Sequence, residues 1–263
     1  MISKKEKLRV NIVWVIGIFL VWELGAFFLA GVLNDPMADA KLPYLHTIFW
    51  VIIQNFSELL GAAGLTFSRA ILGFILGAGV GFLLAIVMSL SKTVEKIAFP
   101  YLIFSQMVPV LGLAPIIFNL VRDMNTSRTI IAAYITFFPV SVNMLSGLTS
   151  VDNEKKELMY SYAAGKKSIY FKLMIPYSLP YLFAGLKIAA PMSVTASILV
   201  DMLGSSGGIG VKLLYSLYSG TKDMFWASVF TSAAMGIISY SIILILEKKF
   251  IPWKKEVVQK EGA

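Results

Sequence analysis

The side chains able to do acid–base, nucleophilic or metal chemistry in this chain are few and poorly placed for it. There is no cysteine, and His46 is the only histidine, so disulfides, thiolate metal sites and thiol nucleophiles are excluded. His46 stands near Pro43 and Thr47 in a polar connection, a setting that suits a solvated or interfacial side chain better than a ligand. Neither an HExxH nor a GxSxG string occurs, which removes the zinc-hydrolase and serine-elbow constellations. No catalytic residue and no metal site are expected. A phosphate cradle is suggested only by the string AAGKKS at 163–168, and it fails. Tyr160 stands where a P-loop needs its leading glycine, and Lys167 replaces the Ser or Thr. The chain therefore reads as no enzyme, with any energy supplied by a partner or an ion gradient.

Charges that remain inside apolar runs are Glu23, Lys187 and Asp201, with Arg69 near the start of one run. A carboxylate in hydrocarbon is costly, so Glu23 should be protonated or face protein. Lys187 and Asp201 lie fourteen positions apart, about 21 Å along a helix, and cannot pair with each other. Lys187 is expected to snorkel to one interface and Asp201 to sit near the other. A proton relay built from these three groups is a weak alternative. Gln106, Asn119 and Asn143 place amides at membrane depth, and with Pro109 and Ser193 they are candidates for a translocation path. Interhelical hydrogen bonds that merely hold a bundle together explain the amides equally well.

The elements that must position these residues are membrane helices. Of 263 residues, 57% are hydrophobic and 14% charged, with a mean hydropathy of +0.77, far from the soluble balance. A bilayer core needs about 20 apolar residues of helix, and six runs qualify: 12–33, 66–90, 97–121, 129–149, 183–204 and 224–246. The first is too long for a signal-peptide core and no A-x-A site follows it. Residues 48–60 are apolar but short, and suit an interfacial helix. The chain reads as one transmembrane domain over 12–250, with a cytoplasmic N-terminus at 1–11 and a cytoplasmic tail at 251–263.

Orientation follows from basic residues, which resist translocation. With the N-terminus inside, the cytoplasmic side receives Lys4, Lys5, Lys7, Arg9, Lys92, Lys96, Lys155, Lys156, Lys166, Lys167, Lys172, Lys248, Lys249, Lys254, Lys255 and Lys260. The other side receives only Lys41, Arg122, Arg128, Lys212 and Lys222. The net charge of +8 is thus a topology signal; no basic stripe interleaved with aromatics suggests nucleic acid.

Two runs carry packing signals. Gly73, Gly77, Gly81 and Ala85 recur every four residues, a small-residue face that lets another helix approach closely; a pore-lining role is the alternative. Pro100, Pro109 and Pro115 should break the third run, and its freed carbonyls call for protein or a wet cavity beside it.

The longest polar connection, 149–182, is too long for a turn. It reads as two short helices separated by Ala163, Ala164 and Gly165 and ended by Pro176 and Pro180. Asp152, Glu154 and Glu157 open the first of them, as the helix dipole favours.

This elbow resembles the coupling motif of the permease subunits of ATP-binding-cassette importers, in the branch associated with nitrate, sulfonates, taurine and pyrimidine precursors. That motif is EAA, three residues, Gly, nine residues, then I-x-L-P. Laid without gaps, Glu157 takes the Glu, Leu158 and Met159 the alanines, Ala163 the glycine, Leu173 the isoleucine, Ile175 the leucine and Pro176 the proline. The strings SVDNE at 150–154, SLPYLFAGLKIA at 178–189, MVPVLGLAPIIF at 107–118, DMLGSSGGIG at 201–210 and RAILGFILGAGVG at 69–81 are similar to the same branch. The alanine pair has become Leu-Met, and the glycine is expected to have moved to Gly165.

The resemblance implies an all-α, type I importer permease of about six transmembrane helices in a bacterial inner membrane, dimeric with a second copy or a paralogue. Its elbow, through Glu157, Tyr160, Ala163, Ala164, Gly165, Lys166 and Pro176, would dock on a separate ATPase that binds the ATP, this chain holding no cofactor. A solute-binding protein would deliver a small organic solute of the pyrimidine or thiamine-precursor, riboflavin-like, or sulfonate, taurine or nitrate class. An ion-coupled secondary carrier is the alternative, although no inverted repeat is evident. Solute identity does not follow from the sequence.

Overall fold

The computed structural model describes residues 4–204 and 207–253, with the backbone alone for residues 4, 5, 7–9 and 11. Every regular element among them is helical. Helix α1 (Lys4–Phe27) runs on through a wider turn at Phe28–Val32, and a short α2 (Ala38–Lys41) leads to α3 (Leu45–Gln54). Next come α4 (Phe56–Ser89), α5 (Lys92–Met107), α6 (Val110–Val121) and α7 (Met124–Thr149). The elbow is α8 (Asn153–Ser161) and α9 (Lys166–Ile169), which passes through Tyr170–Met174 into α10 (Ile175–Met202). Helices α11 (Ile209–Tyr218) and α12 (Lys222–Phe250) complete the described fold.

Five helical stretches are long and apolar enough to cross a membrane, and α5 with α6, bent by 95°, supply a broken sixth. Five of the six expected spans are therefore present with different edges, and the third corresponds to the bent pair. The second begins at Phe56, ten residues before the expected start, so that residues 56–60 belong to α4 and only Leu45–Gln54 forms the separate short helix. The fifth is longer still. Pro176 and Pro180 do not end the elbow, because the helical path is unbroken from Lys166 to Met202. Pro176 directly follows the wider turn at Tyr170–Met174, so the donor that it lacks falls where the helix changes its winding.

Of the three prolines expected to break the third span, one does. Val108 is extended (φ −77, ψ 122), as the residue before proline prefers, and Pro109 starts α6 with φ −63. Pro100 and Pro115 ride inside α5 and α6. This span meets protein along one face: Leu102 and Ala114 are buried, Ala114 packs with Ile131 and Val200, and Tyr134 of α7 donates to the Ser105 carbonyl that Pro109 leaves free, as expected of a proline-broken helix.

The core is the sandwich of α4, α7 and α10. Hydrocarbon gives no hydrophobic drive for helix association, so backbones must approach closely. A Cβ added at Gly73 would collide with Ala132, at Gly77 with Thr136 and the Ala133 carbonyl, and at Gly81 with the Phe137 carbonyl, all on α7. The stripe is a packing face. Hydroxyls from α7 use the same approach: Ser141 donates to the Gly81 carbonyl at 3.0 Å. On the other face of α7, Gly147 meets Ser178 and Tyr181 of α10, and Gly185 of α10 would bring a Cβ within 2.7 Å of the Pro139 carbonyl. Between these contacts Val140, Met144 and Leu148 are fully buried.

Helix α1 lies outside this core, with Val13, Trp14 and Val21 about two-thirds exposed. It is fastened near one end. Trp22 donates to the Pro43 carbonyl at 2.8 Å and packs edge-on against Trp226 and Phe230. Glu23 lies in this region, twenty residues into the helix, and accepts from the His46 backbone and ring at 3.2 Å. It lies near the middle of the apolar stretch Ile12–Val32 and faces protein, as expected.

Candidate functional site

Two constellations sit at opposite ends of α10. At its first turns lies the elbow. Leu158, Tyr160, Tyr162 and Phe171 are 53–79% exposed there, in a segment otherwise rich in lysine; the first three precede the apolar stretch that starts at Lys166, and Phe171 lies at its beginning. Glu157, Ala163, Gly165 and Lys166 are also exposed, whereas Ala164 and Pro176 are partly buried. Lys155 is held between the Asp152 carboxylate at 2.7 Å and the Tyr177 ring at 4.7 Å, and the Asp152 hydrogen bond raises its pKa. Tyr170 shares a 2.5 Å hydroxyl contact with Ser89, which fastens the elbow to the end of α4.

The turn of the elbow corrects one expectation. Gly165 has not taken over the role of the motif's glycine. Its φ of −70 and ψ of 160 are open to any residue, and it starts α9. Ala163 itself adopts the left-handed conformation, with φ 55, closed by bonds from the Ala163 amide to Tyr160 at 2.8 Å and from the Ala164 amide to Met159 at 3.1 Å. A left-handed residue with a Cβ costs about 1–2 kcal/mol. Ala163→Gly is therefore expected to stabilise the turn by about 1 kcal/mol after the entropy of a new glycine is deducted. Hydrogen exchange at the Ala164 amide should slow about fivefold in the variant.

At the other end of α10, Asp201 is buried and meets two arginines. Its Oδ1 is 3.2 Å from Nη1 of Arg69 on α4 and 3.4 Å from Nε of Arg128 on α7, and its Oδ2 accepts from Thr66 at 2.5 Å. Thr66 in turn accepts from the Ile209 amide at 2.9 Å, and Arg69 donates to the Gly207 carbonyl at 3.2 Å. Gly207 and Gly208 adopt φ values of 116 and 118, and a Cβ at Gly208 would strike the Asp201 carboxylate. Sequence reasoning placed Arg128 in an exposed connection; it lies in α7 with its side chain 1% exposed. The cluster was missed because its members come from three separate runs. The available signal was a surplus of arginine and aspartate at the same ends of those runs, beside the glycines of DMLGSSGGIG. Ser205 and Ser206 of that string lie outside the described residues.

The relay, the weaker alternative for these charges, does not assemble. Glu23 engages His46, Asp201 engages the two arginines, and Lys187, expected to snorkel, instead pairs at 2.8 Å with Glu247 of α12. The path candidates are also dispersed. Gln106, Pro109 and Asn119 are exposed around the α5–α6 bend. Asn143 donates to the Pro139 carbonyl of its own helix at 2.8 Å, and Ser193 is buried, donating to the Ala70 carbonyl at 2.6 Å. Among the described residues no group of three or more metal-ligating side chains occurs.

The described helices form a multi-pass bundle that carries an exposed helical elbow. The chain belongs to the family of binding-protein-dependent transport system inner membrane components, whose model matches residues 73–252, and it is the permease subunit of an ATP-binding-cassette importer. It is 31% identical over 185 residues to the formylaminopyrimidine transport permease protein ThiX of Halalkalibacterium halodurans, covering 70% of this chain and 74% of that one. It is 28% identical to the nitrate import permease protein NrtB of Synechococcus elongatus, covering 84% and 81%. A chain in the crystal structure of an amino acid ABC transporter with histidines shares the fold, with a TM-score of 0.60 at 16% identity over 79% of this chain and 98% of that chain.

Proposed function

We propose that this permease imports a small organic solute, takes it from an external binding protein, and is driven by a separate ATPase seated on the elbow. The observation that carries the docking assignment is the exposed patch of Leu158, Tyr160, Tyr162 and Phe171 beside Glu157, Gly165 and Lys166. Large apolar side chains clustered on a charged surface outside the bilayer mark a protein interface. On this reading ATP binds the partner and this chain holds no cofactor. The surplus of lysine and arginine on the elbow side supports a cytoplasmic elbow and cytoplasmic termini. The mostly exposed α5–α6 span is where a second copy or paralogue would pack, bringing Gln106, Pro109 and Asn119 toward a path between subunits. The stretch 149–182 would be the coupling segment of a single domain spanning 12–250.

For the solute, the similarity to ThiX favours a pyrimidine-type precursor over an inorganic oxyanion. The two arginines of the Asp201 cluster are engaged by that carboxylate, and Lys187 by Glu247, which leaves few cations to bind an oxyanion.

The test is purification from native membranes in mild detergent, followed by reconstitution. An ABC ATPase should accompany the chain, and uptake should require ATP and persist when ion gradients are collapsed. Gradient-driven uptake by the chain alone would establish a secondary carrier instead.

A further inference from the structure

We propose that Asp201, Arg69 and Arg128 form a latch that closes the outer end of this permease and is withdrawn during each transport cycle. The inference rests on the sidedness and the ATPase drive argued above. Three features of the cluster point to it.

The first is convergence. One carboxylate joins α4, α7 and α10, and through Thr66 and Arg69 it also holds Gly207 and Ile209 at the start of α11. Releasing Asp201 would free the end of α10, the first turns of α7, the interior of α4 at Thr66 and Arg69, and the glycine turn together.

The second is incomplete pairing. Arg128 is fully buried; its Nη1 donates to Asn125 at 3.1 Å and its Nε makes the 3.4 Å ion-pair contact with Asp201 outside hydrogen-bond geometry, while its Nη2 has no hydrogen-bond partner among the described residues. Two guanidinium groups share one carboxylate, so a net positive charge is buried with donors unused. Buried donors left unmade, above all on a charged group, raise the energy of the arrangement that holds them. A static brace would satisfy them; a closed state that must later open has reason to hold them in reserve.

The third is the lever. Asp201 is the penultimate residue of α10, a helix of 28 residues and so about 42 Å long, whose other end continues directly from the elbow. A tilt imposed at Lys166–Met174 reaches Asp201 along one continuous helix, which carries Pro180 and Pro191 in its interior. The left-handed glycines 207 and 208 supply a backbone that can change conformation where α10 ends.

The chain contains no cysteine, so a single introduced thiol reports on opening. Ser197 lies one turn before Asp201 on the same face of α10, is fully buried, and its hydroxyl has no hydrogen-bond partner, which makes Ser197→Cys a conservative reporter. The assembled transporter is placed in vesicles and treated from the outside with an impermeant methanethiosulfonate. Labelling should be slow at rest and about tenfold faster when the ATPase is trapped with vanadate, with the latch residues unaltered. Asp201→Asn should accelerate resting labelling at least as much, and Thr66→Val, which removes one bond to the carboxylate, should do so to a lesser degree. Unchanged labelling on trapping overturns the latch, whether or not the variants respond, because the cluster would then be a fixed brace. ATP-driven uptake measured on the same vesicles reports separately on the transport assignment.

Discussion

Replacing Gly77 by valine is expected to leave little folded permease. A Cβ at this position would overlap the Thr136 hydroxyl and come within 2.5 Å of the Ala133 carbonyl. The second of these is backbone, so no rotamer change relieves it. Overpacking a tight contact costs about 1–3 kcal/mol, and where helix backbones must separate the cost lies at or beyond the top of that range. Separation here also pulls the Ser141 hydroxyl from the Gly81 carbonyl, one turn further along. Gly79 supplies the control. It lies on the same helix, two residues away, with nothing within 4 Å of its added Cβ. Gly79→Ala should gain roughly 0.5–1 kcal/mol from helix propensity alone. Unfolding of the two variants in mixed detergent should therefore shift in opposite directions, and equal behaviour would show that α4 and α7 do not meet through these glycines.

That contrast shows why the fold was largely legible in the sequence. Spans are counted by apolar length and basic flanks, and small residues every four positions announce a close helix contact; Gly73, Gly77 and Gly81 did so without any structural aid. Edges were less legible because apolar composition does not stop where the membrane does. Phe56–Leu65 and Lys166–Leu182 continue spans beyond their expected bounds. The elbow was found from its polarity and its turn residues, but the motif's glycine was expected to have moved to Gly165, whereas the left-handed residue of the turn is Ala163. Backbone demand there overrides residue preference. The Asp201 cluster was illegible for another reason. Each of its charges has an innocent reading within its own run, and only the packing of α4 against α7 and α10 brings Arg69, Arg128 and Asp201 together.

Charge reversal at Glu157 and bulk at Gly165 are expected to abolish transport-linked ATP hydrolysis while the protein remains inserted. Both positions are exposed, so neither substitution disturbs the core. Gly165 has ordinary backbone angles and open space around its Cβ, and even tryptophan fits there without strain within this chain. Any large effect must then come from a surface that meets the elbow. Truncating or reversing a charge at a buried interface costs about 2–5 kcal/mol, and each 1.4 kcal/mol is tenfold in affinity, so Glu157→Lys should weaken ATPase association by about 30-fold or more. Gly165→Trp should act through sterics alone, and both defects should persist at the higher salt, because a charge contact closed over at an interface is screened much less than an exposed one. The measurement is solute-stimulated ATP hydrolysis in reconstituted complexes at two salt concentrations, with circular dichroism confirming the helical fold. Coupled turnover at the unsubstituted rate in both variants would mean that the elbow touches nothing at this point, and the ATPase would have to be sought elsewhere on the cytoplasmic face.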